Sequence, residues 1–194
     1  MADLLEPFAG SDAVRLAERL IGRFGSLGRV LSAPLAQLEE AAGDRADAVA
    51  AIHGARRLVE AAMGEELAEA RVDGGDPALL RYLQIKLGGA REERLHVVYC
   101  DAARRYLHDE TLALGGPRRL EARARPLFER ALALGAGGFL LAHNHPSGNC
   151  RPSAEDLAAT RLLAALAEAL DLELVDHVIV AGRRAFSMRA GGCL

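Results

Sequence analysis

The stretch GGFLLAHNHP (137–146) constrains the fold most. A short, uncharged, apolar run led by glycines fits a strand buried in the interior of a sheet. Pro146 has no N–H for a ladder, so the strand ends there. The segments around it alternate in type. Residues 77–87 (PALLRYLQIKL) read as a helix. Residues 94–100 (RLHVVYC) and 105–114 (RYLHDETLAL) read as strands. A helix follows over 123–135, closed by Gly135, and an amphipathic helix over 153–170. Two more strands are expected at 172–181 (LELVDHVIVA) and 184–188 (RAFSM). Strands alternating with helices imply an α/β sandwich.

The part before residue 73 is different. From Ser11, Val14, Ala17, Ile21 and Phe24 recur at helical spacing, and Leu16 and Leu20 widen the stripe. Ser11 or Asp12 is the candidate cap, and Gly25 the stop. A short helix is expected over 27–31, another from Ser32 to Gly43, and a long one over 45–70. Ile52, Leu58, Val59, Met63 and Leu67 are the apolar positions of that long helix. DGGDP (73–77) breaks the helical pattern. The expected organisation is a helical domain over 1–72, a linker over 73–76 and an α/β domain over 77–194.

Composition excludes several classes. Hydrophobic residues make up 51% of 194 and charged residues 26%, so the chain can bury a core. Three cysteines make no disulfide framework. The start, MADLLEPFAG, lacks the basic and apolar regions of a signal peptide. The apolar run 131–142 is too short for a bilayer, which needs about 20 residues. A cytoplasmic protein without membrane attachment is expected. Residues 1–76 hold eight Arg against fourteen Asp and Glu, a net of −6, while 77–194 carry +3.

His143 and His145 are two apart at a strand end, so both imidazoles face one point. Ser153 sits where a helix cap belongs, with Asp156 in the first turn. Seven intervening residues can bring that helix start back beside the strand end. Two imidazoles and one carboxylate then form a three-ligand zinc set with the fourth position left for water. Ser-x-x-Asp is also a capping-box signal, and the two roles are compatible.

His-x-His-Pro, six residues, then Ser-x-x-Asp resembles the motif of the JAMM (JAB/MPN+) metalloproteases. LAHNHPSGNCRPSAED is similar to the RadC branch of that family, as are 92–101, 128–148 and 170–182. The resemblance covers about 77–194. It implies a cytidine-deaminase-like α/β/α sandwich behind a small helical domain related to helix-hairpin-helix segments, which 19–33 resembles. It implies a bound Zn2+, with His143, His145 and Asp156 as ligands. It also implies a glutamate at the start of an early strand that takes the water's proton and passes it to the leaving nitrogen. Matching EERLHVVYCD to the pattern places that role at Glu93, with Glu92 as the neighbouring alternative on the opposite face. By the same resemblance Ser153 donates to the oxyanion. The implied reaction is hydrolysis of an amide or isopeptide bond, with a protein or peptide as substrate.

Other residues carry weaker expectations. His177 is a structural histidine or a support of the site. Cys150 is a loop thiol or a resting-state metal contact. His53, His96 and His108 are expected at the surface. The basic run 118–125, which includes Arg125, is a solvated face or meets an acidic partner. The chain departs from its resemblance at 39–52, where one glycine and extra aspartates replace a glycine-rich hairpin, and at AGGC (190–193). DNA binding is therefore expected to be weak or absent. Three readings stand: a zinc amidohydrolase, a DNA-repair-associated or nucleic-acid-processing protein, and a non-catalytic interaction module. The complete ligand set opposes the last. The oligomeric state is not legible.

Overall fold

In the computed structural model, which describes residues 1–114 and 124–194, β3 (Gly138–Asn144) lies at the centre of a five-stranded sheet. The order is β2 (Tyr106–Leu114), β1 (Arg94–Cys100), β3, β4 (Glu173–Ala181), β5 (Arg184–Ser187). β3 and β4 run parallel, and the other neighbours are antiparallel. Every residue of β3 is buried, as its apolar run requires. The leading glycines permit close approach of neighbouring backbone. A β-carbon would lie 2.5 Å from Ala102 N at Gly137 and 2.7 Å from Glu173 O at Gly138.

Helices cover both faces of the sheet. Leu95, Val97, Tyr99, Phe139 and Leu141 pack with Leu127 and Ala131 of α7 (Ala124–Ala133) and Leu163 and Ala167 of α8 (Ala154–Glu168). The alternate residues Val98, Cys100, Leu140 and Ala142 pack with Leu79, Leu83 and Leu87 of α6 (Pro77–Leu87). This is the expected α/β/α sandwich. Asp76 caps α6 by accepting from the N–H groups of Ala78 and Leu79, and Pro77 occupies a position whose N–H would be unbonded anyway.

The chain divides into two compact units, Met1–Ala62 and Met63–Leu194. The first is helical: α1 (Ala2–Ala9), a 3₁₀ turn (Gly10–Asp12), α2 (Ala13–Phe24), α3 (Leu27–Ser32), α4 (Leu35–Ala42) and most of α5 (Ala46–Glu69). Leu5, Leu16, Leu20, Phe24, Val30, Leu38 and Ile52 form its core. Gly25 ends α2 in the left-handed region, φ 89°. The second unit takes up Leu67 and Val72 in its α6-side core. No helix among the described residues is long and apolar enough to cross a membrane.

Several expectations for the helical part are corrected. An additional helix, α1, precedes the expected one, which starts at Ala13 with Asp12 at its N-cap position and ends at Gly25. The side chain of Asp12 makes no cap bond and instead pairs with Arg15 and Arg45. The buried stripe of α2 runs through Leu16 and Leu20, leaving Val14 exposed. On α5, Leu58 and Val59 are exposed, because the buried positions of this helix are Ala48, Val49, Ile52 and Leu67. Of the basic run 118–125, residues 118–123 lie outside the described residues. Arg125 is exposed and bonds Glu129.

His53 is exposed and His108 half-buried against Tyr99, but His96 is 1% exposed, against the surface expectation. β1 is an interior strand covered on both faces, so this imidazole needs polar partners. Its Nδ1 lies 3.1 Å from Thr111 Oγ1, and its Nε2 lies 2.8 Å from Asp109 Oδ2. The hydroxyls of Tyr82 and Tyr106 also donate to Asp109. Burial alone would raise the Asp109 pKa. The close His96 contact, then the bonds from Tyr106 and Tyr82, outweigh it and hold the carboxyl well below the usual carboxylate range. A depressed folded-state pKa means its contribution is present above the unfolded value of about 3.9 and lost as pH falls below it. Asp109→Asn is therefore expected to cost about 2–4 kcal/mol at pH 7. The gap between variant and parent should narrow between about pH 4 and pH 2. Urea melts of both proteins across that range check it, and a gap that widens on acidification would contradict it.

Candidate metal centre

The site is built where β3 ends and α8 begins. His143 is the last residue but one of β3, on the face that carries Phe139 and Leu141 toward α7 and α8. His145 lies just past the strand, yet its N–H still donates to Val180 O at 2.8 Å, which keeps the ladder's direction for one more residue. Ser153 caps α8. Its hydroxyl accepts from Asp156 N at 3.1 Å, and Asp156 Oδ2 accepts from Ser153 N at 2.8 Å, a complete capping box. The cap orients Asp156 inward and fully buries it.

These elements bring the three expected ligands together. One ligand atom from each of His143, His145 and Asp156 lies within 4.8 Å of the others. His143 Nε2 is 3.2 Å from Asp156 Oδ1, and His145 Nε2 is 3.4 Å from Asp156 Oδ2. The two Nε2 atoms are 2.9 Å apart. His145 Nδ1 donates to Asn149 O at 2.7 Å, which leaves the Nε2 of a neutral ring bare. Asp156 Oδ1 is buried and no hydrogen bond reaches it. Burial alone would raise the pKa of Asp156, but the His143 contact, followed by the bonds from Ser153, holds it well below the usual range. A bare imidazole nitrogen and a second imidazole beside a buried carboxylate oxygen without a donor fit a divalent cation, and two His with one carboxylate is a donor set that catalytic zinc uses.

The expected glutamate lies one residue before β1. Leu95 pairs with His143 in the antiparallel register, and continuing that register beyond the last pair would set Glu93 opposite His145 on the same face. Glu93 is half-buried and Glu92 exposed. Asn144, between the two histidines, points to the other face and clamps the backbone on both sides of Glu93. Its Oδ1 accepts from Arg94 N at 2.8 Å, and its Nδ2 donates to Glu92 O at 3.0 Å. Ser153 lies beside Asp156, with its hydroxyl proton directed to Asp156 Oδ2 at 2.7 Å. Cys150 is half-buried in the loop between His145 and Ser153. The guanidinium of Arg184, on β5, donates to Gly148 O in that loop.

Two further residues belong to the site. His177 is fully buried, and its Nε2 is 2.7 Å from His143 Nδ1. It reaches this face because the β3–β4 pairing skips Val175, between Leu174 and Asp176. Such a bulge reverses the alternation, so His177 faces α8. Burial, then the neighbouring His143, drives the His177 pKa well below that of an ordinary histidine. Thr160, one turn after Asp156 on α8, lies 2.6 Å from His177 Nδ1. Sequence reading passed over Thr160. A polar residue four after a ligand, on the apolar face of a helix, is the signal that could have found it.

Comparison with known proteins agrees with this geometry. Residues 76–193 match the family described as RadC-like JAB domain. The chain is 37% identical over 188 residues to a UPF0758 protein of Rhodobacter capsulatus, covering 94% of this chain and 86% of that one. It is 34% identical over 189 residues to a UPF0758 protein of a Polaromonas species, covering 95% and 83%. A similar protein of Variovorax paradoxus is 33% identical over 191 residues, covering 96% and 83%. With its sheet, its helices and its His-His-Asp group in this arrangement, the chain belongs to the RadC-like JAB-domain family.

Proposed function

We propose that this protein is a zinc-dependent hydrolase of the JAMM type that cleaves a peptide or isopeptide bond. The observation that carries the reading is the buried, undonated Oδ1 of Asp156 beside His143 and His145. Those three residues would hold the ion. When bound, zinc supplies the Lewis acidity that makes water acidic enough to attack at neutral pH.

The chain's own groups divide the remaining work. The Glu93 carboxylate takes a proton from the attacking water and gives it to the nitrogen that leaves. Asn144 holds the backbone that carries Glu93. The Ser153 hydroxyl turns from Asp156 Oδ2 to donate to the carbonyl oxygen as charge develops there. The carbon–nitrogen bond breaks, and acid and amine depart. Hydrolysis of a peptide and isopeptide panel by the zinc-loaded protein tests the reading. Cleavage that survives in Glu93→Gln would mean a contaminant or a different base.

A nucleic-acid substrate is the second reading, and charge opposes it. Phosphate binding needs clustered Lys and Arg, whereas residues 1–76 carry −6. The chain also has only eight aromatic residues for base stacking. Duplex and single-stranded DNA are expected to bind weakly or not at all at physiological salt. Fluorescence anisotropy checks this, and submicromolar affinity with a steep salt slope would contradict it. The proposed setting is cytoplasmic, with a protein or peptide partner.

A further inference from the structure

His143 can serve as a ligand through Nε2 only if its proton is on Nδ1, and the hydrogen bonds behind it decide where that proton sits. Thr160 Oγ1 is 2.6 Å from Asp156 O and 2.6 Å from His177 Nδ1. A carbonyl oxygen cannot donate, so an oxygen–oxygen contact that short holds the single Thr160 proton. It is also the bond that a helical threonine makes to the carbonyl four residues back. His177 Nδ1 must then be the donor to Thr160 Oγ1. The His177 ring is fully buried, where a cation is costly, so its Nε2 is bare. That nitrogen accepts from His143 Nδ1 at 2.7 Å. In the neutral His143 ring the proton is then on Nδ1, and Nε2, which faces Asp156 Oδ1, is the nitrogen without one. If the chain ran the other way, with Thr160 donating to His177, a proton would sit on His143 Nε2 and block it.

We infer that Thr160 and His177 are positioning residues that lock His143 as its Nδ1–H tautomer and so present Nε2 to a metal ion. The consequence for metal rests on the proposed zinc site, while the wiring is a property of the metal-free protein. Together with the His145 bond to Asn149 O, it prepares both imidazoles from behind by separate routes. Hydrogen bonds of this kind typically change metal affinity by about 10–100-fold when lost.

Long-range 1H–15N correlation on histidine-labelled, metal-free protein reads the tautomers directly. His143 and His177 are both expected with protonated Nδ1 and bare Nε2. An Nε2–H form of His143 overturns the inference. Thr160→Val and Thr160→Ser then separate wiring from packing. Valine keeps the shape and loses the hydroxyl, and serine does the reverse. Chelator-competition titration should show zinc binding weakened about 10–100-fold in Thr160→Val, with Thr160→Ser close to the parent. Equal affinity in all three proteins, or a weaker serine variant, overturns it. Should the parent bind no zinc, the metal reading falls, and the His143 tautomer alone upholds or overturns the wiring.

Discussion

Glu93→Gln is expected to leave zinc at full occupancy while hydrolysis falls by about 10²–10⁴-fold. Glutamine has nearly the shape of glutamate, and Glu93 lies outside the His143–His145–Asp156 group, so neither the fold nor the ion should respond. What is lost is a carboxylate able to carry a proton from water to the leaving nitrogen. Glu92 is exposed, on the opposite side of the chain, and Glu92→Gln should change little. Metal analysis and initial rates on the same preparations check both. Zinc lost from Glu93→Gln would make that residue a ligand. Parent-like rates in both variants would place the base elsewhere.

Zinc at about one ion per chain should disappear in the double variant His143→Ala, His145→Ala. A single carboxylate oxygen cannot replace two imidazole nitrogens, and tetrahedral zinc sites keep three protein ligands or four. The ligands sit on a strand end and a helix start that already have their own hydrogen bonds and caps, so the double variant should stay folded. Zinc binding to the folded parent adds about 4 kcal/mol at a thousandfold excess over the dissociation constant. Zinc should therefore raise the parent's melting temperature and leave that of the double variant unmoved. Full occupancy in the double variant would falsify the ligand assignment.

The second unit was legible because its signals are local and agree with one another. RLHVVYC forms β1 over the expected residues, and the other strands and helices fall within two residues of expectation among the described residues. Each has a periodic apolar pattern closed by Gly, Pro or a cap. The ligand set was legible for the same reason. Two-residue spacing on a strand and three-residue spacing at a cap are backbone geometry. The first unit was harder. Its short helices pack on one another by contacts that the periodic stripe does not rank, so Val14, Leu58 and Val59 fit the stripe and yet point outward. His96 reads as a surface histidine because its partners, Asp109 and Thr111, come from a different strand, β2.

The sequence alone determined which side chains could bind a metal, on which elements they sit, and that a capped helix must follow the strand. Periodicity and capping act within a few residues, so they can be read along the chain. The tertiary structure alone decided what stands behind those ligands. Skipping Val175 in the β3–β4 pairing turns His177 toward His143, and a pairing register exists only between two strands. Asn144 reaches across to the backbone of Arg94, fifty residues away in sequence. The buried Oδ1 of Asp156 comes to face His143 only because α8 packs its first turn against the end of β3.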